Sequence, residues 1–319
     1  MQLHQLEYLV AVADDGSFTR AASRLHVAQP GVSAQIRRLE SELGQILFDR
    51  SGRSVRVTDA GAAVLPLART ALAAVAEIRA AADELSGVLR GHVAVGMMTS
   101  CPPGAITGAL AALHRRHPQV RITLIESPTA ELIAGLHSAA VDLAVIGFRS
   151  PPQGLHVEVI NDDVLGAAVR ADHPLARRNS VALRSLAEHE LICLPGGSGI
   201  RESLDEGCAA AGVAARVTLE ASNPEVVADL AASGLGVGVL PESYARTRGD
   251  VHVVRVERPT LRGAVGVAWR SEGRLSSAAA ALIDVWRTRR AAVTGSARPA
   301  SAASAAAVVA PRRASRRPT

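Results

Sequence analysis

The first 44 residues show a helical pattern of apolar positions that turns interrupt twice. Residues 3–13 carry apolar side chains along one helical stripe, and the polar sequence "DDGS" ends it. Ser17 stands where it can cap a second short helix, "FTRAASRLH". After the break "VAQP", the segment "AQPGVSAQIRRLE" has Val32, Ile36 and Leu39 on one stripe. The pattern predicts three short helices.

Beyond Gly44 the pattern changes to two short extended pieces. Residues 46–49 and 54–58 flank a Ser-Gly-Arg turn, which is typical of a β-ribbon, or wing. Three helices followed by a ribbon predict a winged helix-turn-helix domain over residues 1–58. In that motif the second helix of the pair lies in the major groove of double-stranded DNA and reads base edges from its N-terminal part.

The N-terminal end of the third helix carries residues that suit DNA contact. Pro30 is tolerated in a first helical turn, where its missing N–H would have no partner. Gly31 lets the backbone approach DNA closely. Gln29 and Ser33 can reach base edges, and Arg37 can reach a phosphate or a base.

The wing adds cations beside its turn. Arg50, Arg53 and Arg56 suit contacts with the DNA backbone or the minor groove. The alternative is an ordinary surface helix with a solvated polar face. The combination of a tight turn, capped helices and an arginine-rich ribbon favours DNA binding.

Residues 59–89 form the next unit and repeat apolar positions at spacings of four and three, as a coiled-coil seam does. Thr58 is a candidate N-cap, and Gly87 and Gly91 mark the end of this linker helix. A lone helix cannot bury such a stripe, so we expect it to pair with a second chain. The alternative is that it packs on its own domain. The seam residues are Val64, Ala68, Ala71, Val75, Ile78, Ala82, Leu85 and Leu89.

From residue 90 to residue 290, strand-like segments such as "HVAVGMM", "VRITLIES" and "VDLAVIG" alternate with helical ones. This alternation predicts parallel sheets in an α/β fold. We predict two lobes: lobe I over about 90–161 and 267–290, and lobe II over about 162–266. A cleft between such lobes binds small molecules at strand C-termini and helix N-termini.

Charge and composition restrict the remaining possibilities. The net charge of +5 equals the five arginines of residues 292–319, so the body is close to neutral. The stretch 291–319 lacks a periodic apolar pattern, and we expect a disordered basic tail. No signal peptide or membrane span is evident, which predicts a cytoplasmic protein. No nucleophile–base, metal or cofactor signature is present, so we expect neither an enzyme, a metal site nor a cofactor.

The chain resembles the LysR-type transcriptional regulators. The resemblance rests on "LEYLVAVADDGSFTRAASRLHVAQPGVSAQIRRLESELGQILFDRSGRSVRVTDAG" and continues in "ESPTAELIAGLHSAAVDLAVIG" and "AASGLGVGVLPES". It implies a winged-helix reader, a dimerising linker helix and an effector domain like type 2 periplasmic binding proteins. It also implies a homodimer or homotetramer, an imperfect palindromic operator and a small-molecule effector.

The resemblance places DNA contacts at Gln29, Pro30, Ser33 and Arg53. Arg37 is added from the helix geometry. The chain departs from some members of the family at Ala34, where they carry a longer polar residue, and this leaves the base preference open.

For the effector, the resemblance points to the end of the first strand of lobe I, the "SPT" turn, the loop after "VIGF" and "GGSGIR". Arg149 could oppose the hydroxyls and helix ends as a cation, which predicts an anionic effector, a carboxylate. The alternative is that these residues only cap helices. The residues matched by the resemblance are Thr99, Ser100, Thr129, Phe148 and Ser198.

Two other functions are alternatives to a DNA-binding regulator with a small-molecule effector. A solute-binding or enzymatic α/β protein would use its first 60 residues only for interaction, and the missing signatures argue against it. A redox sensor would need a reactive cysteine pair. Cys193 and Cys208 are the only close pair, and nothing else matches a redox switch.

Overall fold

The computed structural model describes residues 1–51, 55–84, 89–99, 101 and 104–296. The α-helices within these ranges are α1 Leu3–Asp15, α2 Phe18–Arg24, α3 Gln29–Leu43, α4 Asp59–Glu84, α5 Thr107–Arg116, α6 Thr129–His137, α7 Leu183–Leu186, α8 Gly199–Ala211, α9 Pro224–Ala232, α10 Glu242–Ala245 and α11 Ser277–Ser296. A short 3-10 helix covers Pro174–Arg177.

The strands in the same ranges are β1 Phe48–Asp49, β2 Arg56–Val57, β3 Gly91–Met98, β4 Val120–Ser127, β5 Leu143–Phe148, β6 Leu155–Val169, β7 Ser180–Ala182, β8 Leu191–Cys193, β9 Val217–Glu220, β10 Val237–Pro241, β11 His252–Glu257 and β12 Arg262–Arg270.

The N-terminal unit is the expected three-helix domain with a wing. Ser17 caps α2, because its Oγ accepts a hydrogen bond from the Arg20 amide at 3.4 Å. The apolar stripe of α3 is fully buried against α1 and α2. The ribbon is shorter than predicted, since only β1 and β2 pair, and they pair antiparallel.

The linker helix α4 starts where the sequence predicts. Thr58 caps it by accepting a hydrogen bond from the Gly61 amide at 3.1 Å. The first half does not form a free seam, however: Ala68 is 3 % exposed in the core of the winged-helix domain. Arg69 also forms an ion pair with Asp14 of α1. The alternative of packing on its own domain is therefore correct for this half, and Leu85 lies outside the described residues.

By length and composition, α4 could also cross a membrane over Asp59–Ile78, where its mean hydropathy is 1.5. Core helices of soluble proteins have the same composition. The burial of Leu65 and Ala68 against α1 and the Arg69–Asp14 ion pair show a helix that contacts protein along its first turns.

The C-terminal unit is a mixed α/β structure. Strands β3, β4 and β5 are parallel, as the alternating pattern predicts. The expectation of purely parallel sheets is wrong, because β12 runs antiparallel to both β5 and β6. In the second half of the sheet, β10 is parallel to β8 and antiparallel to β6.

The long strand β6 crosses from one lobe to the other. It pairs with β12 as far as Val164, and from Leu165 it pairs with β10. The return crossing is β12, so the two antiparallel crossing strands join the lobes side by side. The sequence of a strand carries no signal for its direction, which is why the mixed sheet was not predicted.

Helix α11 closes lobe I and also touches the linker helix. The indole Nε1 of Trp286 donates to the Ala105 carbonyl at 2.9 Å. The Glu77 carboxylate of α4 accepts hydrogen bonds from the Ser277 amide and hydroxyl, which caps the start of α11. The helix continues to Ser296, so the predicted tail does not begin at 291; residues 297–319 lie outside the described ranges.

Candidate nucleic-acid interface and effector site

Helix α3 is fixed to the wing through the carboxylate of Glu40. Its Oε1 accepts hydrogen bonds from the amides of Leu47 and Phe48, at 2.9 and 3.2 Å. Its Oε2 accepts one from Arg50 at 2.8 Å. Because one carboxylate holds both the helix end and the ribbon, the two elements present one surface.

The outer face of α3 carries the predicted DNA contacts. Pro30 and Arg37 are exposed, whereas Gln29 and Ser33 are half-buried at the edge of the helix. Pro30 is in the first turn, and the N-cap residue Ala28 offers no side-chain cap there. Arg37 forms no ion pair with any described residue. The geometry leaves this face available to an outside partner.

The wing differs from the expectation at one residue. Arg50 is held by Glu40, and its guanidinium lies 4.8 Å above the ring of Phe18. We therefore reassign Arg50 to fold support. Arg56 is exposed next to Asp49, and Arg53 lies outside the described residues.

A cavity of about 110 Å³ lies between the two lobes, and we call it the effector cavity. Its walls come from the carboxyl ends of strands in both lobes: Thr99 follows β3, Pro128 follows β4, Leu194 follows β8 and Pro241 ends β10. The helices α6, α8, α9 and α10 start at or next to its wall. Strand ends and helix starts converge at this point, as expected for ligand sites in α/β folds.

Three of the predicted effector residues line this cavity together: Thr99, Thr129 and Ser198. Thr129 is 9 % exposed, and its Oγ1 accepts a weak hydrogen bond from the Gly147 amide at 3.4 Å. Ser198 caps α8 by accepting from the Arg201 amide, and it donates to the Pro195 carbonyl. Ser198 therefore caps a helix and also borders the cavity.

The other predicted effector residues are placed differently. Phe148 is 4 % exposed, packs in the core of lobe I and is absent from the cavity wall. Arg149 forms an ion pair with Glu206 of α8 outside the cavity. Glu206 thus balances the charge of Arg149, which is not part of the cavity wall. Ser100 lies outside the described residues.

Sequence reasoning missed Ser222, which lines the cavity just before α9. The signal was available, because Asn223 followed by Pro224 is a helix-start pattern, and helix starts surround the cavity. The apolar part of the wall, which includes Met98, Leu194 and Ile200, carries no comparable signal.

The cysteines lie away from this wall and have poorly reactive thiols. Burial raises the pKa of the Cys193 thiol to about 12 and that of Cys101 to about 11. Burial also raises the pKa of Cys208. Because the thiolate is the reactive form, all three are protonated and weakly nucleophilic near neutral pH.

Comparison with known proteins adds two family matches. The model of the bacterial regulatory helix-turn-helix protein, lysR family, matches residues 3–62. The model of the LysR substrate binding domain matches residues 86–291. Together the two matches cover the winged helix and the two-lobed unit described above.

Individual proteins with similar sequences or structures are transcriptional regulators as well. A hydrogen peroxide-inducible genes activator of Pectobacterium carotovorum subsp. carotovorum is 31 % identical over 273 residues, covering 85 % of this chain and 90 % of the relative. The HTH-type transcriptional regulator ShiR of Corynebacterium glutamicum (strain R) is 32 % identical over 291 residues, covering 89 % and 98 %. The structure of a full-length OxyR variant from Pseudomonas aeruginosa is 28 % identical, has a TM-score of 0.70 and covers 91 % and 95 %.

A winged helix with an open polar face, joined to a two-lobed domain that encloses a cavity, defines a DNA-binding transcriptional regulator with an effector-binding domain. The chain belongs to the LysR family of such regulators. The resemblance and the fold class predicted from the sequence are both confirmed. The relatives are transcriptional regulators and not enzymes, and the same holds for this chain.

Proposed function

We propose that the chain binds an imperfect palindromic operator as a homodimer or homotetramer in the cytoplasm and responds to a small carboxylate between its lobes. The DNA contacts are Gln29, Pro30, Ser33 and Arg37 of α3, with Arg53 of the wing. The observation that carries this proposal is the outer face of α3, which Glu40 ties rigidly to the wing.

Assembly into an oligomer is supported by large exposed apolar side chains on α4, one in each half of the helix. Leu67 and Ile78 are 70 % and 71 % exposed on this helix. Large apolar side chains that remain uncovered on one helix favour a second apolar surface. A second copy of the chain would also supply the second recognition helix that a palindromic operator needs.

Footprinting on the DNA that flanks the chain's own gene, at several salt concentrations and with competitor DNA, tests the DNA-binding proposal. We expect a protected, roughly palindromic site. Ser33→Ala and Arg37→Ala should each weaken binding by about tenfold to a hundredfold, because a base contact contributes about 1–3 kcal/mol. If Arg37 contacts a phosphate, its removal also lowers the salt slope by about one.

Arg38→Ala is the matched control, because it removes the same charge from the neighbouring position of α3. Arg38 lies beside Gln2 and Glu42, toward the start of α1. We expect its operator affinity to stay within about threefold of the parent chain. Binding that depends on salt but not on position, or equal losses at residues 37 and 38, would contradict the proposed interface.

Peroxide sensing is a second candidate, because several relatives are hydrogen peroxide-inducible genes activators. The raised thiol pKa values of Cys101, Cys193 and Cys208 argue against it here. A peroxide sensor needs an accessible thiolate, and burial suppresses that form at all three positions.

We therefore expect micromolar hydrogen peroxide to leave operator affinity unchanged within about twofold. The variant with all three cysteines replaced by serine should bind the operator like the parent chain, since none of its thiols takes part. If serine at buried Cys193 prevents folding, the labelling rate of the native thiols with a maleimide serves instead, and it should be far slower than in the urea-unfolded chain. A peroxide-dependent footprint that the serine variant loses would establish the redox candidate.

A further inference from the structure

The size and charge of the effector cavity restrict its ligand more narrowly than the family does. We propose that the effector is a short monocarboxylate with about four to six non-hydrogen atoms. This inference rests on the proposed function, because it assumes that the effector occupies the cavity between the lobes.

The volume sets the upper limit on size. The cavity measures about 110 Å³. A cavity of about 150 Å³ holds one benzene molecule, with six non-hydrogen atoms. Drug-sized ligands occupy clefts of about 300–1,000 Å³. On this scale the cavity suits an acid of two to four carbons better than an aromatic acid or a six-carbon acid.

The wall near β5 offers little room for expansion. A Cβ atom at Gly199 of lobe II would lie 2.5 Å from the backbone nitrogen of Phe148 in lobe I, so the two lobes already touch beside the cavity. At Gly147 a Cβ atom would lie 3.2 Å from Sδ of Met98. On this side of the cavity a larger ligand would have to separate the lobes, whereas a Cβ atom at Gly196 would meet nothing within 4 Å.

The charge of the wall limits the ligand to one carboxylate. Among the described lining residues none is ionisable. The arginines nearest in sequence to the wall are each paired with a carboxylate: Arg149 with Glu206, Arg201 with Asp205 and Glu220, and Arg262 with Asp162. No side-chain cation among the described lining residues therefore balances a dianion.

A single carboxylate can be held without a cation. Thr129 places its hydroxyl on the wall, whereas the Ser198 hydroxyl is engaged with the Pro195 carbonyl and the Arg201 amide. Helices α6 and α8 begin at the wall. Together these groups favour one negative charge. A second carboxylate would lie against Met98, Leu194 and Ile200, where an unpaired charge is costly. The apolar wall instead suits a chain of one to three carbons.

Calorimetric titration of the full chain tests this with sodium acetate, propanoate, butanoate, hexanoate, benzoate and succinate, and with propanamide. We expect the acids of two to four carbons to bind. Hexanoate, benzoate and succinate should bind at least tenfold more weakly than the best of these, and so should the uncharged propanamide. Equal or tighter binding of benzoate, succinate or propanamide would overturn the proposal, and so would binding by none of the short acids.

Two single-residue variants test where on the chain the acid binds. Thr129→Val keeps the shape of the side chain and removes its hydroxyl, and it should weaken the best acid at least fivefold. Thr107→Val is the control, since Thr107 is exposed at the equivalent first position of α5, outside the cavity. Equal affinity in the two variants would place the acid elsewhere. Footprinting separates the hypotheses: an intact operator footprint without acid binding refutes only the ligand class, whereas a missing footprint refutes the proposed function.

Discussion

Replacing Gly199 with alanine should push the two lobes of the effector domain apart. The new Cβ atom would lie 2.5 Å from the backbone nitrogen of Phe148, 2.7 Å from its Cα and 2.8 Å from its carbonyl carbon. These are backbone atoms of the last residue of β5, which pairs with Ala264 of β12, and they cannot move aside as a side-chain tip can. The start of α8 must therefore retreat from lobe I.

The expected size of the effect follows from overpacking, which costs about 1–3 kcal/mol when a methyl group meets fixed neighbours. Any ligand that needs the lobes in contact should lose about tenfold to a hundredfold in affinity. Hydrogen exchange of the full chain reports the change directly. Amides at 146–150 and at the start of α8 should exchange faster in Gly199→Ala, because the contact that shields them is lost.

Gly249→Ala provides the matched control. Gly249 is exposed in the same lobe, and a Cβ atom there would meet nothing within 4 Å. Its exchange pattern should equal that of the parent chain. Unchanged exchange in Gly199→Ala would mean that the lobes move freely past each other and that the contact at Phe148 does not set the size of the cavity.

The contact between Gly199 and Phe148 shows which features of the fold can be predicted from the sequence and which cannot. Predictions based on local chemistry were confirmed: the caps at Ser17 and Thr58 and the buried stripe of α3 all form. Each depends on residues a few positions apart, so the pattern contains the information. The approach of Gly199 to Phe148 joins positions 51 apart, and a glycine in a glycine-rich loop gives no sign of what its backbone touches.

The errors have a common physical cause. Arg149 looked like a ligand cation because it follows a strand of lobe I, yet Glu206 on another helix takes its charge. The apolar spacing of α4 predicted a seam between chains, yet α1 covers part of it. Both outcomes depend on tertiary neighbours. A pattern shows that a surface must be buried, or that a charge must be balanced, without showing by which element.

Replacing Gly61 with alanine should disrupt the winged-helix domain. Gly61 is buried in the first turn of α4, and a Cβ atom there would lie 2.3 Å from the Leu47 carbonyl oxygen and 2.8 Å from Cγ1 of Val57. The Leu47 carbonyl already accepts a hydrogen bond from the Thr58 amide at 3.1 Å. The amide of Leu47 is held by Glu40. The base of the wing is thus fixed from two sides.

Two effects of opposite sign compete at this position. Alanine favours a helix over glycine by about 1 kcal/mol. The clash with backbone atoms should cost more, and we expect a net loss of about 2 kcal/mol or more in local stability. The wing would then separate from α3, so operator affinity should fall at least tenfold. Hydrogen exchange of peptides from residues 1–60 measures the first effect, and footprinting measures the second.

Gly31→Ala tests whether the clash, rather than the loss of a glycine, is responsible. Gly31 is also in a first helical turn of the same domain, but a Cβ atom there would meet nothing within 4 Å. Its local stability should stay the same or rise. If Gly31→Ala lost as much stability as Gly61→Ala, the loss would come from alanine in the first turn of either helix and not from the clash with Leu47. A loss confined to Gly61 would show that close packing of α4 on the wing holds the recognition helix in place.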